Sequence, residues 1–186
     1  MAYINIIEPE EATGSLKKIY EELEKKRRKL ARIHKVQSLH PETIVAHMEL
    51  YLSIMFSRSP LSRAQREMMA VVVSATNECE YCQRHHGEAL NHYWKEGGRV
   101  RQLRTDYNQA DLDKTDSLLC QLAQKLTLNP DEIDKEQDIK PLKNTGLSDR
   151  AILDAVLVIS YFNFVNRMVQ GLGVETDEQE VQGYKY

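Results

Sequence analysis

Apolar residues recur at helical spacing along nearly the whole chain, while helix-breaking residues are scarce, with 8 Gly and 5 Pro among 186 residues. That combination leaves little room for a turn-rich β fold and predicts an all-α protein. Val71-Val72-Val73 would suit a strand, but its flanks keep helical period and no partner strand is evident.

The pattern resolves into successive helices. Leu16, Ile19, Tyr20, Leu23 and Leu30 form one stripe over 13–33. The basic run Lys25 to Lys29 follows acidic residues, which suits the charge preference of a helix C-terminus and marks a solvated face. Pro41 opens a second helix to about Ser57, and Ser62 caps a third over 63–76 that is apolar nearly all round and so belongs in the core. A helix carrying the cysteines should run to about Lys95 and stop at Gly97-Gly98. Another begins at Asp111 and ends at Asn129-Pro130. One short helix is expected before Gly146, and Ser148 caps a long helix over 149–171, closed by Gly171 and Gly173.

A chain of this length carries one domain. The expected organisation is a core over 41–174, an N-terminal helical arm over 8–35 and a loose C-terminal tail over 175–186. No repeat, low-complexity tract or dividing linker interrupts it. The formal net charge of -3 argues against nucleic-acid and anionic-membrane partners. The longest unbroken apolar run, Met68 to Val73, is far shorter than a membrane span. The first residues lack the basic and apolar regions of a secretory signal, so a cytoplasmic location is expected.

Chemistry concentrates in Asn77-Glu78-Cys79-Glu80-Tyr81-Cys82-Gln83-Arg84-His85-His86-Gly87. Asn77 and Glu80 have the spacing of a capping box, which would start a helix at the cysteines. Helical geometry puts Cys79, Cys82 and His86 on one face. A helix N-terminus favours thiolate over thiol, and a nearby imidazole can move the proton. Two other readings of the cysteines stand beside a reactive pair: a zinc site completed by histidine and a fourth ligand, or plain buried packing. Glu67, inside the apolar helix, has two readings as well. Burial would raise its pKa and suit it to proton relay, or it pairs with Arg63 one turn earlier. His34, His40, His47 and His92 are dispersed and read as surface or cap residues, and Cys120 is given no chemistry.

Glu67, eleven intervening residues, then Cys79-x-x-Cys82-x-x-x-His86 resembles the signature of the alkylhydroperoxidase D-like family, within the carboxymuconolactone decarboxylase superfamily. The segments Arg66 to Asn77, Gly146-Leu147-Ser148-Asp149, Tyr161 to Arg167 and Gly171 to Val174 resemble its peroxidase-related branch. The resemblance implies a single all-helical domain assembled into a homo-oligomer, a trimer or hexamer. It implies a thiol-disulfide peroxidase acting on hydrogen peroxide or organic hydroperoxides with no cofactor and no metal. In that scheme Cys82 attacks the peroxide and becomes a sulfenic acid, and Cys79 resolves it as a disulfide. His86 and Glu67 form the relay that removes the Cys82 proton, and an external dithiol, such as a lipoylated protein, restores the thiols. The sequence departs from the best-described relatives at Tyr81, where they carry a histidine next to the second cysteine. Two other functions are compatible with the same fold: a non-catalytic thiol redox sensor or binding protein, and a decarboxylase-like enzyme without redox chemistry.

Overall fold

The computed structural model describes residues 2–176 and 178–181. Among these the chain is all-α, without strands. Its helices are α1 (Gly14–Arg27), α2 (Arg32–Lys35), α3 (Pro41–Phe56), α4 (Arg63–Thr76), α5 (Glu80–Trp94), α6 (Gly97–Thr105), α7 (Lys114–Leu128), α8 (Lys140–Asn144), α9 (Asp149–Gly171) and α10 (Glu178–Val181).

The architecture follows from α4. Nine consecutive residues, Arg66 to Ser74, are buried, so this helix needs neighbours on every side. It packs against α5, α6, α7 and α9. Each fully buried Met or Val there contributes roughly 1.5–3 kcal/mol relative to exposure. Its start is fixed by a capping box: Ser62 Oγ accepts from the Gln65 backbone N–H, and Gln65 accepts from the Ser62 N–H. α3 lies on α9, and α1 lies on α3 around a smaller cluster of Leu16, Tyr20, Leu23, Ile44 and Met48.

The turn from α4 into α5 positions the cysteines, and it is not the expected capping box. Asn77 instead closes α4. Glu78 takes the left-handed conformation (φ 54°), its N–H donates to Ala75 O, and the Cys79 N–H reaches back to Ser74 O at 2.9 Å. This is a Schellman closure with glutamate in the place usually held by glycine. Cys79 becomes the N-cap of α5, and Cys82 lies in its first turn. The same closure at the end of α9 does use glycine, Gly173 (φ 63°).

Other expectations shift in register. α1 ends at Arg28, which turns left-handed, and a separate short helix α2 follows. α5 stops at Lys95 before the glycines, and Gly97-Gly98 begins α6 rather than a loop. The helix expected from Asp111 starts only after Asp113, whose side chain accepts from the Asp116 N–H. In the tail expected to be loose, residues 178–181 form α10 against α5. Residues 177 and 182–186 of that tail lie outside the described residues. α9 has the length and composition of a membrane span (mean hydropathy 1.4), but it is a core helix whose buried face includes Asp154 and Asn166.

Candidate functional site

The four residues singled out from the sequence fall on α4 and the start of α5, the two most closely packed helices of the fold. Glu67 is completely buried, and both its oxygens are engaged. Oε2 lies 2.7 Å from His86 Nδ1, while Oε1 accepts from Arg63 Nη2 at 2.5 Å and Nε at 3.0 Å. The two readings of Glu67 are therefore both realised. The expected upward pKa shift is not: burial acts to raise it, but His86 and Arg63 outweigh burial and hold Glu67 below the ordinary carboxylate range. These partners hold Glu67 as a carboxylate.

That charge state assigns the imidazole. A carboxylate only accepts, so His86 Nδ1 carries the hydrogen and Nε2 of the neutral ring is left with a free lone pair. The ring is held edge-on to Phe162, with centroids 4.4 Å apart. Arg63 is anchored in turn by donating to Met55 O and by stacking over Phe56.

Cys79 and Cys82 are both buried as free thiols and hydrogen-bonded to each other. The bond that Cys82 donates to the Cys79 sulfur holds Cys79 below the ordinary thiol range, against the effect of burial. The same bond, with burial, pushes Cys82 well up, and Asn166 works weakly the other way. The Cys82 thiol, and after it the Cys82 backbone N–H in the first turn of α5, thus ease ionisation at Cys79 and not at both cysteines alike. Asn166 is a site residue whose role the sequence left open. It is fully buried, accepts from Asn77 Nδ2 at 3.1 Å and donates to Ser74 Oγ at 3.3 Å. Its neighbour Arg167 points elsewhere, onto Asn163. Cys120 is buried apart, with its thiol pushed up by burial.

Cys82 and His86 open onto one cavity of about 90 Å³, and Cys79 does not line it. Most of the rest of the wall is aromatic and imidazole, including His34, His47, Tyr51, Tyr81, Tyr161 and Phe162, with Arg27 and aliphatic side chains completing it. His34 and His47 correct the sequence reading, for both are buried and neither is a surface or cap residue. Burial, reinforced by nearby positive groups, lowers the His34 pKa to about 3, and burial lowers that of His47 to about 4, so both rings are neutral. His47 could have been found, since Ile44, His47, Met48, Tyr51 and Met55 recur at i, i+3, i+4, i+7 and i+11.

Tyr81 lines the cavity beside Cys82, but its hydroxyl is committed elsewhere. Its hydroxyl donates to Glu180 Oε1 at 2.6 Å and its ring lies against His85 at 4.4 Å. Glu180 also accepts from the Arg32 backbone N–H at 2.8 Å, so α10 is tied to both α2 and α5 beside the cavity. Among the described residues no group of three or more His, Cys, Asp and Glu side chains converges as a metal site.

A buried Glu–His pair beside two thiols in an all-helical subunit is the arrangement that the resemblance to the alkylhydroperoxidase D-like family implies. Residues 41–93, which span α3 to α5 and hold all four site residues, match the Carboxymuconolactone decarboxylase family. An uncharacterized peroxidase-related protein from Silicibacter sp. TM1040 is 29% identical, with a TM-score of 0.82 over 89% of this chain and 86% of its own. A second, from Ralstonia eutropha JMP134 and described as an alkylhydroperoxidase AhpD core, is 22% identical with a TM-score of 0.87 over 97% and 94%. The debrominase Bmp8 shares the fold at 16% identity, with a TM-score of 0.78 over 97% and 98%. No curated protein matches. The chain therefore has the fold of the alkylhydroperoxidase AhpD core, and its residues 41–93 carry the Carboxymuconolactone decarboxylase match.

Proposed function

We propose that the protein is a thiol-disulfide peroxidase that reduces hydrogen peroxide or small organic hydroperoxides at Cys82, with Cys79 as the resolving thiol. The observation that carries this reading is the cavity shared by Cys82 and His86, with Glu67 holding His86 in the tautomer that leaves Nε2 basic. His86 takes the proton that Cys82 shares with Cys79. The Cys82 thiolate attacks one peroxide oxygen, the O–O bond breaks, and the sulfenic acid condenses with Cys79 to a disulfide and water. An external dithiol, a lipoylated protein in the simplest case, returns both thiols. The fold also carries a debrominase, so the fold alone does not select this chemistry, and the site must.

We read the protein as cytoplasmic and as a homo-oligomer, a trimer or hexamer. Support for assembly comes from the large apolar side chains left exposed on α3 (Val45, Leu50, Leu52, Phe56) and α9 (Leu153, Leu157, Phe164).

The cavity sets the substrate size. Benzene occupies a cavity of about 150 Å³ in a well-studied case, so a space of about 90 Å³ admits hydrogen peroxide but not an aryl group without displacing its walls. With dihydrolipoamide as reductant, hydrogen peroxide is expected to be consumed about 10- to 100-fold faster than cumene hydroperoxide, matching the cost of ~1–3 kcal/mol for overfilling a packed site. Peroxide consumption no faster than in a reaction without protein would refute the peroxidase reading. Consumption that is equally fast with both substrates would refute the size limit.

A further inference from the structure

The cavity wall holds a hydrogen-bond chain that the Cys82–His86–Glu67 chemistry does not use, and its polarity can be read atom by atom. The Gln37 amide nitrogen lies 2.7 Å from Ile33 O, which can only accept, so the amide is fixed with its NH₂ on that side. The same nitrogen lies 3.0 Å from His47 Nδ1. Nδ1 therefore accepts, and the neutral His47 ring carries its hydrogen on Nε2. Nε2 lies 2.6 Å from Tyr161 Oη. His47 donates and Tyr161 accepts, which leaves the phenolic hydrogen of Tyr161 without an acceptor among the described residues.

Tyr161 is 6% exposed, and it shares the cavity wall with Cys82 and His47. A buried O–H with no partner costs free energy unless something in the cavity accepts it. Accepting from His47 also polarises the hydroxyl and strengthens it as a donor, while burial keeps it protonated. We propose that Tyr161 is a catalytic hydrogen-bond donor to the departing oxygen of the peroxide, with His47 and Gln37 as positioning residues that aim it. This inference rests on the peroxidase reading of the same site.

The step balances with the groups present. The Cys82 thiolate forms an S–O bond as the O–O bond breaks, so sulfur is oxidised and the peroxide reduced. The departing oxygen leaves with the electron pair of the broken bond, and Tyr161 donates to it as its negative charge develops. The proton that His86 took from Cys82 then completes water or an alcohol, and Tyr161 ends the step still protonated. The two roles fall on different helices lining one cavity: His86 on α5 handles the thiol proton, and Tyr161 on α9 holds the leaving oxygen.

The test compares two small oxidants by rapid-mixing measurement of thiol loss. Hydrogen peroxide expels hydroxide, a poor leaving group that needs a donor, whereas peracetic acid expels acetate, which does not. Tyr161→Phe is expected to slow the reaction with hydrogen peroxide by about 10²-fold, the effect of losing one donor to a developing oxyanion, and to leave peracetic acid nearly unchanged. His47→Leu should give the same selective loss, and His47→Gln, whose amide can still accept from Gln37 and donate to Tyr161, should restore the hydrogen peroxide rate. A merely structural role would slow both oxidants alike. Wild-type protein that reacts while Tyr161→Phe slows both oxidants equally, or neither, overturns the assignment of Tyr161 alone. Wild-type protein inert to both overturns the peroxidase reading and this inference with it.

Discussion

Glu67→Ala is expected to cost about 3–5 kcal/mol of stability and to slow the reaction of the thiols by about 10²- to 10⁴-fold. Both effects follow from its two partners. Arg63 is mostly buried, with a side chain 12% exposed, and its pairing to Glu67 outweighs the burial that opposes its charge. Without the carboxylate that cation has no counterion in a low-dielectric setting, the situation that makes breaking a buried pair so costly. In a domain of this size the loss corresponds to a fall in melting temperature of roughly 6–20 °C. His86 loses the acceptor that keeps its hydrogen on Nδ1, so Nε2 is no longer reliably the base. Glu67→Gln separates the two effects. Its amide fills the same space but offers one acceptor where two are needed, so part of the stability is retained and the base is still lost. Thermal denaturation and rapid-mixing thiol oxidation on both variants check this. A Glu67→Ala protein within about 1 kcal/mol of wild type would mean that Arg63 finds another partner, and the account of the buried pair would fail.

Acid is expected to destabilise the fold well above the range in which carboxylates usually titrate. His34 and His47 bind protons near the ordinary imidazole value of 6.5 when unfolded but only at about 3 and about 4 when folded. The stability of keeping them neutral and buried is fully present above about pH 6.5 and is lost as pH falls toward the folded values. Between about pH 6 and pH 4 the unfolded chain binds up to two more protons than the folded one, a slope of up to about 2.7 kcal/mol per pH unit. Glu67, with its pKa lowered, extends the loss below about pH 4.5, since there the unfolded chain takes up a proton the folded site resists. Urea denaturation between about pH 7 and pH 5 should show the fall, and His34→Gln should remove about half of the slope. A flat profile over that interval would contradict the burial of both imidazoles.

The helices that build the core were legible because their signals are local. Ser62 with Gln65, Pro41 and Ser148 each sit beside the helix they start, and Glu67 and His86 were placed by spacing within and between adjacent helices. What was hidden depends on contacts distant in sequence. His34 and His47 become wall residues only because α3 packs on α9 and sets His47 between His34 and Tyr161, the latter 114 residues away in the chain. Gly97-Gly98 is ambiguous locally: glycine suits a helix end, but here α5 has already ended at Lys95 in the left-handed conformation. Asn77 and Glu80 have capping-box spacing, yet Asn77 Nδ2 is taken by Asn163 and Asn166, both on α9. The net pKa shift of Glu67 was missed for a related reason. Burial is visible in an apolar run, whereas two cationic partners within hydrogen-bond distance are visible only in the fold.

The most direct test is to mix fully reduced protein with one equivalent of hydrogen peroxide and map its cysteines by mass spectrometry, beside Cys82→Ser and Cys79→Ser. Wild-type protein should lose two hydrogen atoms and gain a Cys79–Cys82 disulfide while Cys120 stays reduced. Cys79→Ser should be trapped as a sulfenic acid at Cys82, and Cys82→Ser should be inert. A sulfenic acid at Cys79 in Cys82→Ser, with Cys79→Ser inert, would reverse the two thiols, as the lowered pKa of Cys79 alone would suggest. Thiols that survive excess peroxide in wild-type protein would contradict the peroxidase account outright.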